Sequence, residues 1–291
     1  MEQEIITDLY GEADQEAMYQ AAIHQPLERK IEQAIGLIRL YENQALQLSE
    51  DGYYVCFSGG KDSIVMAKLF EMAGVKYGLH YSNVTIDPPE LVRFIKREYP
   101  QAVWHSVGKP LPYMMEDKSN GPPTRIRRWC CEIYKEQGGL EYLRSIGVRA
   151  TESARRKGLW TQMTKGKRTH NPILCPILYW TDADIWQFIH DNNMPYCELY
   201  DQGFSRLGCV GCPMGGPKKQ AMEFQRWPGY ERLWKRGFQK YWDKFHGTKR
   251  KDGKDREWLN KFNSVDELWR WWMKDSSVND TDAPDCQLWL W

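Results

Sequence analysis

The chain has 291 residues and a formal net charge of +1, with 40 lysines and arginines against 39 aspartates and glutamates. Hydrophobic residues make up 42% of the chain, enough to build a substantial core, which excludes a wholly disordered protein. The balanced charge gives no reason to expect a general polyanion-binding surface.

No apolar run approaches the roughly 18 residues that a membrane-spanning helix needs. The N-terminal segment Met1–Glu4 is acidic and leads into no apolar core of the kind found in secretory signals. The eight cysteines are therefore expected to be reduced thiols, and clusters of them indicate metal or redox sites before disulfides. We expect a cytoplasmic protein that does not enter a membrane.

The first predicted element is an amphipathic helix at about Leu27–Leu48, where apolar residues recur at three- and four-residue steps between charges. The chain then alternates between strand-like and helix-like segments. These are Tyr53–Phe57 as a strand, Ile64–Met72 as a helix ended by Gly74, Lys76–Ser82 as a strand, Glu90–Glu98 as a helix and Ala102–Ser106 as a strand. Alternation at these lengths requires crossover connections and a parallel sheet. We therefore predict an α/β fold with a doubly wound, mostly parallel sheet.

The following part of the chain adds three predicted elements. Two further strands are predicted at Gly147–Ala150 and Pro172–Leu174. Thr181 is placed to cap a helix at Asp182–Asn192, whose first turn carries two aspartates where the helix dipole favours negative charge.

The composition changes after about residue 220, where tryptophans become frequent among many charged residues. They are Trp227, Trp234, Trp242, Trp258, Trp269, Trp271, Trp272, Trp289 and Trp291. We predict a helical C-terminal extension whose tryptophans pack in a core rather than stack on nucleic acid bases. The chain is thereby divided into an N-terminal helical segment (1–50), a nucleotide-binding domain (51–220) and the extension (221–291).

A glycine-rich turn separates the first strand from the helix after it, and it reads Ser58-Gly59-Gly60-Lys61-Asp62-Ser63. The glycines permit a tight turn and close approach of a ligand, and the amides at the helix N-terminus favour an anion. The serines add hydroxyl donors and Lys61 adds a full positive charge. Asp62 is placed either to cap the helix or to orient a metal or a ribose. Because the flanking strand and helix are both strongly indicated, a phosphate site is preferred over a merely capped turn.

Four cysteines form two pairs, Cys130-Cys131 and Cys209-Val210-Gly211-Cys212, separated by the 77 residues 132–208. Thiolates so placed can converge on one metal ion or one cluster. Spacing alone leaves structural zinc and iron–sulfur open, although adjacent cysteines are awkward for zinc. The other cysteines, Cys56, Cys175, Cys197 and Cys286, are scattered, and Cys56 lies within a predicted strand and is expected to pack in the core.

The glycine-rich turn resembles the PP-loop, Ser-Gly-Gly-x-Asp-Ser, of the adenine nucleotide α-hydrolase superfamily. Over about residues 50–215 the chain resembles the phosphoadenosine phosphosulfate (PAPS) and adenosine phosphosulfate (APS) reductase family. The stretches that carry this resemblance are the two cysteine pairs, Asn171-Pro172, Trp180–Trp186, Asn193–Tyr196 and Leu199–Phe204. The resemblance implies an adenine nucleotide-binding fold. It also implies one 4Fe–4S cluster held by Cys130, Cys131, Cys209 and Cys212.

The family's substrate-binding Gly-Leu-Arg-Arg-x-x-Ser is matched by Gly147–Ser153, in which Arg149 and Ser153 fit and Ala150 replaces the second arginine. Arg156 corresponds to a further phosphate-binding arginine. The family's nucleophilic cysteine lies in a Glu-Cys-Gly-x-His motif that does not occur in this sequence. Cys286 stands either as a replacement nucleophile or as an incidental cysteine.

The resemblance implies three hypotheses. The first is an enzyme that reduces APS or PAPS to sulfite with a thioredoxin-like thiol donor, in which Lys61 and Cys286 are the candidate catalytic residues. The second is an ATP pyrophosphatase, dependent on Mg²⁺, that assists sulfur transfer in DNA phosphorothioation or thionucleoside synthesis and would meet nucleic acid. The third is a non-catalytic module whose nucleotide and cluster sites assemble it with partners.

Overall fold

In the computed structural model, the described residues are 12–117, 121–165, 171–250 and 252–275. The helices are α1 (Glu12–Ile23), α2 (Leu27–Leu40), α3 (Glu42–Leu48), α4 (Lys61–Ala73), α5 (Pro89–Glu98), α6 (Trp129–Tyr134), α7 (Ala154–Leu159), α8 (Asp182–Asp191), α9 (Gly216–Arg226), α10 (Pro228–Phe245), α11 (Glu257–Asn260) and α12 (Val265–Asp275). The strands are β1 (Tyr53–Phe57), β2 (Tyr77–Asn83), β3 (Val103–Ser106), β4 (Arg144–Ser145), β5 (Met163–Lys165) and β6 (Pro172–Leu174). Short 3-10 turns lie at Leu111–Asp117, Ala150–Glu152 and Pro213–Gly215.

The six strands form one sheet in the order β3-β2-β1-β4-β6-β5. Strand β1 pairs in parallel with both β2 and β4, β4 pairs in parallel with β6, and β5 is antiparallel to β6. This arrangement confirms the predicted α/β fold with a mostly parallel sheet. The chain winds outward on one side of β1 through β2 and β3, and on the other side through β4 and β6. The carboxyl end of β1 therefore lies where the winding direction reverses, the usual ligand position in sheets of this kind.

The predicted strand at Gly147–Ala150 is wrong. The strand is Arg144–Ser145, two buried polar residues that a hydropathy pattern does not select. After it the chain runs close beneath helix α4, because a Cβ on Gly147 would lie 3.3 Å from the backbone oxygen of Asp62. The predicted helix at Leu27–Leu48 is interrupted at Tyr41, whose ψ of 7° ends α2 and begins α3.

The chain divides into two compact units, each built from separate segments. The first comprises the chain up to Tyr81 together with Phe94–Val103 and Gly139–Gln202, and the second comprises Ser82–Arg93, Trp104–Gly138 and the chain from Gly203 onward. The first unit spans the boundary predicted at residue 50, and the second unit spans the boundary predicted at residue 220. The predicted linear division of the chain stays a prediction.

The core of the second unit is largely aromatic. Trp234 and Trp272 are 1% exposed, with ring centroids 4.8 Å apart, and Phe238 is fully buried beside Trp272 at 5.2 Å. The predicted helical extension rich in tryptophan is confirmed as far as residue 275, and its described tryptophans are buried or half-buried. Trp289 and Trp291 lie outside the described residues. Within the described part of the chain, no helix combines the length and apolarity needed to cross a membrane.

Candidate functional site

The glycine-rich turn leaves the carboxyl end of β1 and leads directly into α4. Gly59 has a φ of +70°, a conformation that side chains other than glycine rarely adopt. The hydroxyl of Ser63 donates to the carbonyl oxygen of Gly60 at 2.9 Å, and the amide of Ser58 donates to that hydroxyl at 3.2 Å. The two serines therefore close the turn at both ends and fix its shape.

Two buried cations lie at the start of α4. Lys61 is 5% exposed, and its Nζ lies 3.1 Å from Oδ1 of Asp182 and 3.6 Å from Oδ2 of Asp62. Arg149 is 4% exposed, and it donates from Nε to Oδ1 of Asp62 at 2.6 Å and from Nη2 to Oδ1 of Asp182 at 3.0 Å. The same carboxylate oxygen of Asp182 thus meets both cations, although 61% of its side chain is exposed.

Asp62 does not cap α4. The residue at the N-cap position is Gly60, which makes no capping side-chain hydrogen bond, and Asp62 lies inside the first turn of the helix. Its carboxylate instead holds Arg149, 87 residues further along the chain. The predicted capping role is therefore replaced by an ion pair that ties the glycine-rich turn Ser58–Ser63, the predicted phosphate loop, to the 3-10 turn at residues 150–152.

Tyr200 is a neighbour of the loop that the sequence did not single out. The backbone amide of Lys61 donates to the hydroxyl of Tyr200 at 2.8 Å, and the Lys61 ammonium lies 5.9 Å from the centre of the tyrosine ring. Trp186 packs edge-on against Tyr200 with ring centroids 5.1 Å apart. Asp182 and Tyr200 both lie in stretches that carried the family resemblance, but nothing in their spacing indicated contact with the loop.

The predicted phosphate ligands beyond Arg149 make local contacts. The hydroxyl of Ser153 caps α7 by accepting the backbone amide of Arg156 at 3.2 Å. The guanidinium of Arg156 forms an ion pair with Glu152. The structure therefore brings Arg149 to the loop, while the phosphate-binding role of Ser153 and Arg156 stays a prediction.

The four paired cysteines all lie in the second unit. Cys130 and Cys131 are in α6, and Nη2 of Arg128 lies 3.5 Å from the sulfur of Cys131. A hydrogen bond from the Cys130 thiol, together with the positive charges of Lys135 and Arg128, holds the pKa of Cys131 well below its usual value. The same hydrogen bond and burial raise the pKa of Cys130.

The second cysteine pair is set in a tight turn at residues 209–212. Gly211 has a φ of +75°, and its amide donates to the buried carboxylate of Glu223 at 2.7 Å, while its carbonyl accepts from Gln220 at 3.0 Å. Val210 is fully buried, and its carbonyl accepts the indole N–H of Trp234 at 3.0 Å. Helices α9 and α10 therefore hold this turn by its backbone.

The four thiols share one electrostatic environment. The charges of Cys209 and Cys212 act on Cys130, and Cys131 acts on both Cys209 and Cys212. The charge of Lys135 acts on Cys131, Cys209 and Cys212, and the negative charge of Cys209 is the main cause that raises the pKa of Lys135. Burial raises the pKa of Cys209 and Cys212.

Among the residues that the structure describes, no group of three or more His, Cys, Asp or Glu side chains is placed to hold a metal ion. The four cysteines, which act on one another electrostatically, are by their chemistry a donor set that a 4Fe–4S cluster would take, with a separate thiolate for each iron. Thiolate is also the ligand that such clusters require.

The remaining described cysteines are in the first unit. Burial raises the pKa of the Cys56 thiol to about 11 and also raises that of Cys175. Cys197 is buried. The candidate nucleophile Cys286 lies outside the described residues.

Cys56 is expected to resist alkylation in the folded protein. At a pH of about 8, a thiol with a pKa near 11 has about 100-fold less thiolate than an unfolded cysteine, and its alkylation slows in proportion. Mass spectrometry of iodoacetamide-treated protein, folded and in urea, measures the ratio, and Cys56→Ala identifies the peptide. Because the folded pKa lies above the ordinary value of 9.0, the folded state keeps this proton longer, and the free energy of unfolding falls between about pH 9 and 11. Equal rates in both states would contradict the burial of this thiol.

Residues 52–214 match the family of the phosphoadenosine phosphosulfate reductase domain, which is more than half of the 291 residues. The chain belongs to this family. The match contains the phosphate loop, Arg149 and all four paired cysteines. It ends before Gln220, Glu223 and Trp234, so the helices that hold the second cysteine pair lie beyond the part that defines the PAPS reductase family.

Several known proteins are similar to this chain in sequence or in structure. An uncharacterised protein of Methanocaldococcus jannaschii is 31% identical over 200 residues, which are 60% of this chain and 47% of that protein. The adenosine 5'-phosphosulfate reductase of Oceanobacillus iheyensis is 28% identical over 196 residues, which are 62% of this chain and 79% of that enzyme. A crystal structure of the PAPS reductase of Candida auris in a phosphate complex is 12% identical with a TM-score of 0.44, over 69% of this chain and 96% of that one. The chain spans about half the length of the Methanocaldococcus jannaschii relatives it matches.

Proposed function

We propose that this protein binds an adenine sulfonucleotide, APS or PAPS, at the phosphate loop and reduces it to sulfite with a thiol donor of the thioredoxin kind. The observation that carries the proposal is the pair of buried cations, Lys61 and Arg149, at the start of α4. A guanidinium and an ammonium beside helix-terminal amides suit phosphate oxygens. The sulfonucleotide is preferred over other adenine nucleotides because the chain belongs to the PAPS reductase family and resembles APS reductases.

The proposed reaction has two steps. A cysteine thiolate attacks the sulfur of the sulfonucleotide, a sulfur–sulfur bond forms, and the bond from sulfur to the phosphate oxygen breaks and releases the nucleotide. A second thiolate then attacks the resulting thiosulfonate at its cysteine sulfur, releases sulfite and leaves a disulfide. Two thiols are thus oxidised and one sulfonate is reduced by two electrons. Lys61 stabilises the negative charge that the departing phosphate gains, and Cys286 is the candidate for the first thiolate.

Cys130, Cys131, Cys209 and Cys212 would hold a 4Fe–4S cluster, which when bound would supply a local charge without having to change its oxidation state. Anaerobically purified protein is then expected to contain about four irons per chain and to absorb visible light. Stoichiometric zinc in a colourless protein would contradict this assignment.

A second candidate function is ATP pyrophosphatase activity that supports sulfur transfer to a nucleic acid. It is favoured by the full Ser58–Ser63 loop with its lysine, and by the absence of a Glu-Cys-Gly-x-His motif from the sequence. In this reaction an oxygen of the target attacks the α-phosphorus of ATP bound with Mg²⁺, pyrophosphate leaves, and a sulfur nucleophile later displaces AMP from the adenylated target.

One experiment separates these functions. The anaerobically purified holoprotein is given APS, PAPS or ATP with Mg²⁺, together with dithiothreitol or thioredoxin, and sulfite and pyrophosphate are measured. Sulfite from APS or PAPS supports the reductase, and its loss in Cys286→Ser supports Cys286 as the nucleophile. Pyrophosphate from ATP that persists in Cys286→Ser supports the second function instead. Tight nucleotide binding without either product would support the non-catalytic module. If no adenine nucleotide binds, all three hypotheses (reductase, ATP pyrophosphatase and non-catalytic module) are contradicted.

A further inference from the structure

Positive charge is concentrated between Pro228 and Lys261. This segment has eleven lysines and arginines against five aspartates and glutamates, a net charge of +6, in a chain whose total is +1. The rest of the chain is therefore net negative. The balanced total charge hides a strongly basic segment of the second unit.

Packing places five of these eleven cations on the solvent side of α10. The opposite side is buried through Trp234, Gly237, Phe238 and Tyr241. At Gly237 the approach is so close that a Cβ would lie 2.3 Å from the carbonyl oxygen of Pro112. The solvent side of the helix then exposes Arg232, Lys235, Arg236, Lys240 and Lys244. From Arg232 to Lys244 this row extends over about 18 Å of the 18-residue helix.

A short hairpin continues the row beyond the end of α10. An antiparallel bridge joins Lys249 to Asp255, and Lys249, Arg250 and Lys254 are exposed. Arg256 fixes the hairpin to the helix, because its guanidinium lies 4.6 Å from the ring centre of Phe245 and its Nε donates to the hydroxyl of Thr248 at 3.2 Å. We call the exposed side of α10, together with Lys249, Arg250 and Lys254, the basic face.

Only part of this charge is neutralised within the second unit. The ion pairs are Lys235 with Glu231 at 2.7 Å, Lys240 with Glu116 at 3.6 Å, Lys244 with Asp117 at 3.9 Å and Arg250 with Asp252 at 3.5 Å. Among the described residues, no ion pair within 4.0 Å involves Arg232, Arg236, Lys249 or Lys254. Arg232 and Arg236 lie about one helical turn apart, and with the two hairpin lysines they provide four cations for the repeated charge of a phosphate backbone.

The basic face also contains an aromatic pair. Trp242 is half-buried and stacks on His246, with ring centroids 3.8 Å apart and an angle of 14° between the rings. Trp242 belongs to α10, and His246 is the residue directly after the end of this helix. A tryptophan held flat beside a row of cations is the combination that binds unpaired bases by stacking.

We propose that the basic face binds single-stranded nucleic acid, by its phosphates along α10 and the hairpin and by one base at Trp242. A duplex would satisfy the cations alone, whereas the aromatic pair favours a strand whose bases are free. This interaction does not depend on the proposed enzymatic function.

The test is fluorescence anisotropy of the full-length holoprotein with a labelled single-stranded oligonucleotide of about 20 bases, long enough for the row of charges. With four phosphate contacts, the logarithm of the association constant is expected to fall against the logarithm of salt concentration with a slope of about −3. The triple variant Arg236→Glu, Lys249→Glu, Lys254→Glu is expected to bind about 100-fold more weakly. Trp242→Ala is expected to bind the single strand several-fold more weakly and to bind a duplex unchanged.

The matched control reverses three exposed cations elsewhere, Arg29→Glu, Lys76→Glu and Arg93→Glu, and is expected to bind within about two-fold of wild type at physiological salt. Adenine nucleotide binding is measured on both triple variants and is expected to be unchanged. A failure of the oligonucleotide-binding proposal can then be distinguished from a failure of the proposed enzymatic function. Absence of oligonucleotide binding, equal losses in both triple variants, or tighter binding to a duplex would each overturn the proposal.

Discussion

Replacing Gly211 with alanine is expected to lower the free energy of unfolding by about 2 to 5 kcal/mol, the sum of a backbone penalty and an overpacking penalty. The φ of +75° disfavours any side chain, and a Cβ would lie 2.3 Å from Cζ of Phe224 and 3.0 Å from Nε1 of Trp234. The turn cannot shift to relieve the clash, because Glu223 and Gln220 hold both backbone groups of Gly211. Urea denaturation of the holoprotein, followed by tryptophan fluorescence, measures the change.

The matched control is Gly203→Ala in the same unit. Gly203 has a φ of +89°, but a Cβ there would have no neighbouring atom within 4 Å. Only the backbone penalty remains, so a loss of about 1 to 2 kcal/mol is expected. Because Gly211 lies between Cys209 and Cys212, iron content is also expected to fall in Gly211→Ala and to stay constant in Gly203→Ala. Equal destabilisation by both changes would show that Phe224 and Trp234 do not confine the turn.

The fold was predictable wherever a local pattern specified it. Tyr53–Phe57, the two glycines after it and the amphipathic helix that follows define a strand–loop–helix unit that needs no distant information. The pattern failed at β4, where Arg144 and Ser145 are polar and buried between two other strands. A strand of two polar residues is specified by its neighbours in the sheet, which are distant in sequence.

The same contrast between local sequence patterns and contacts between distant residues applies to the candidate site. The sequence predicted Ser58–Ser63 and Arg149 as parts of one site, and the structure brings them together. The sequence did not predict that Asp182, 33 residues beyond Arg149, would share one carboxylate oxygen between two cations. Nor did it connect the second cysteine pair with Glu223, because a buried carboxylate in a charged helix resembles any solvent-exposed glutamate. Ion pairs, and hydrogen bonds from side chains to the backbone, between residues far apart in the chain leave no periodic signal in the sequence.

Because of these ion pairs, Arg149→Ala is expected to lower both stability and nucleotide affinity. Removing the guanidinium leaves Asp62 and Asp182 without this buried partner, and a loss of about 2 to 4 kcal/mol in the free energy of unfolding is expected, since Asp182 remains partly solvated. Adenine nucleotide affinity is expected to fall at least about 10-fold, because the loop loses a fixed positive charge. Chemical denaturation and isothermal calorimetry of the holoprotein measure the two effects.

Arg149→Lys is the matched control, since it keeps the charge but cannot reach Asp62 and Asp182 with separate nitrogens, and it is expected to recover only part of either loss. A double-mutant cycle of Arg149→Ala with Asp62→Ala is expected to give a coupling of about 1 to 3 kcal/mol, because each residue is a main partner of the other. Coupling near zero would mean that Arg149 is held by packing alone. A loss of affinity without any loss of stability would instead place its guanidinium on the nucleotide rather than beneath the loop.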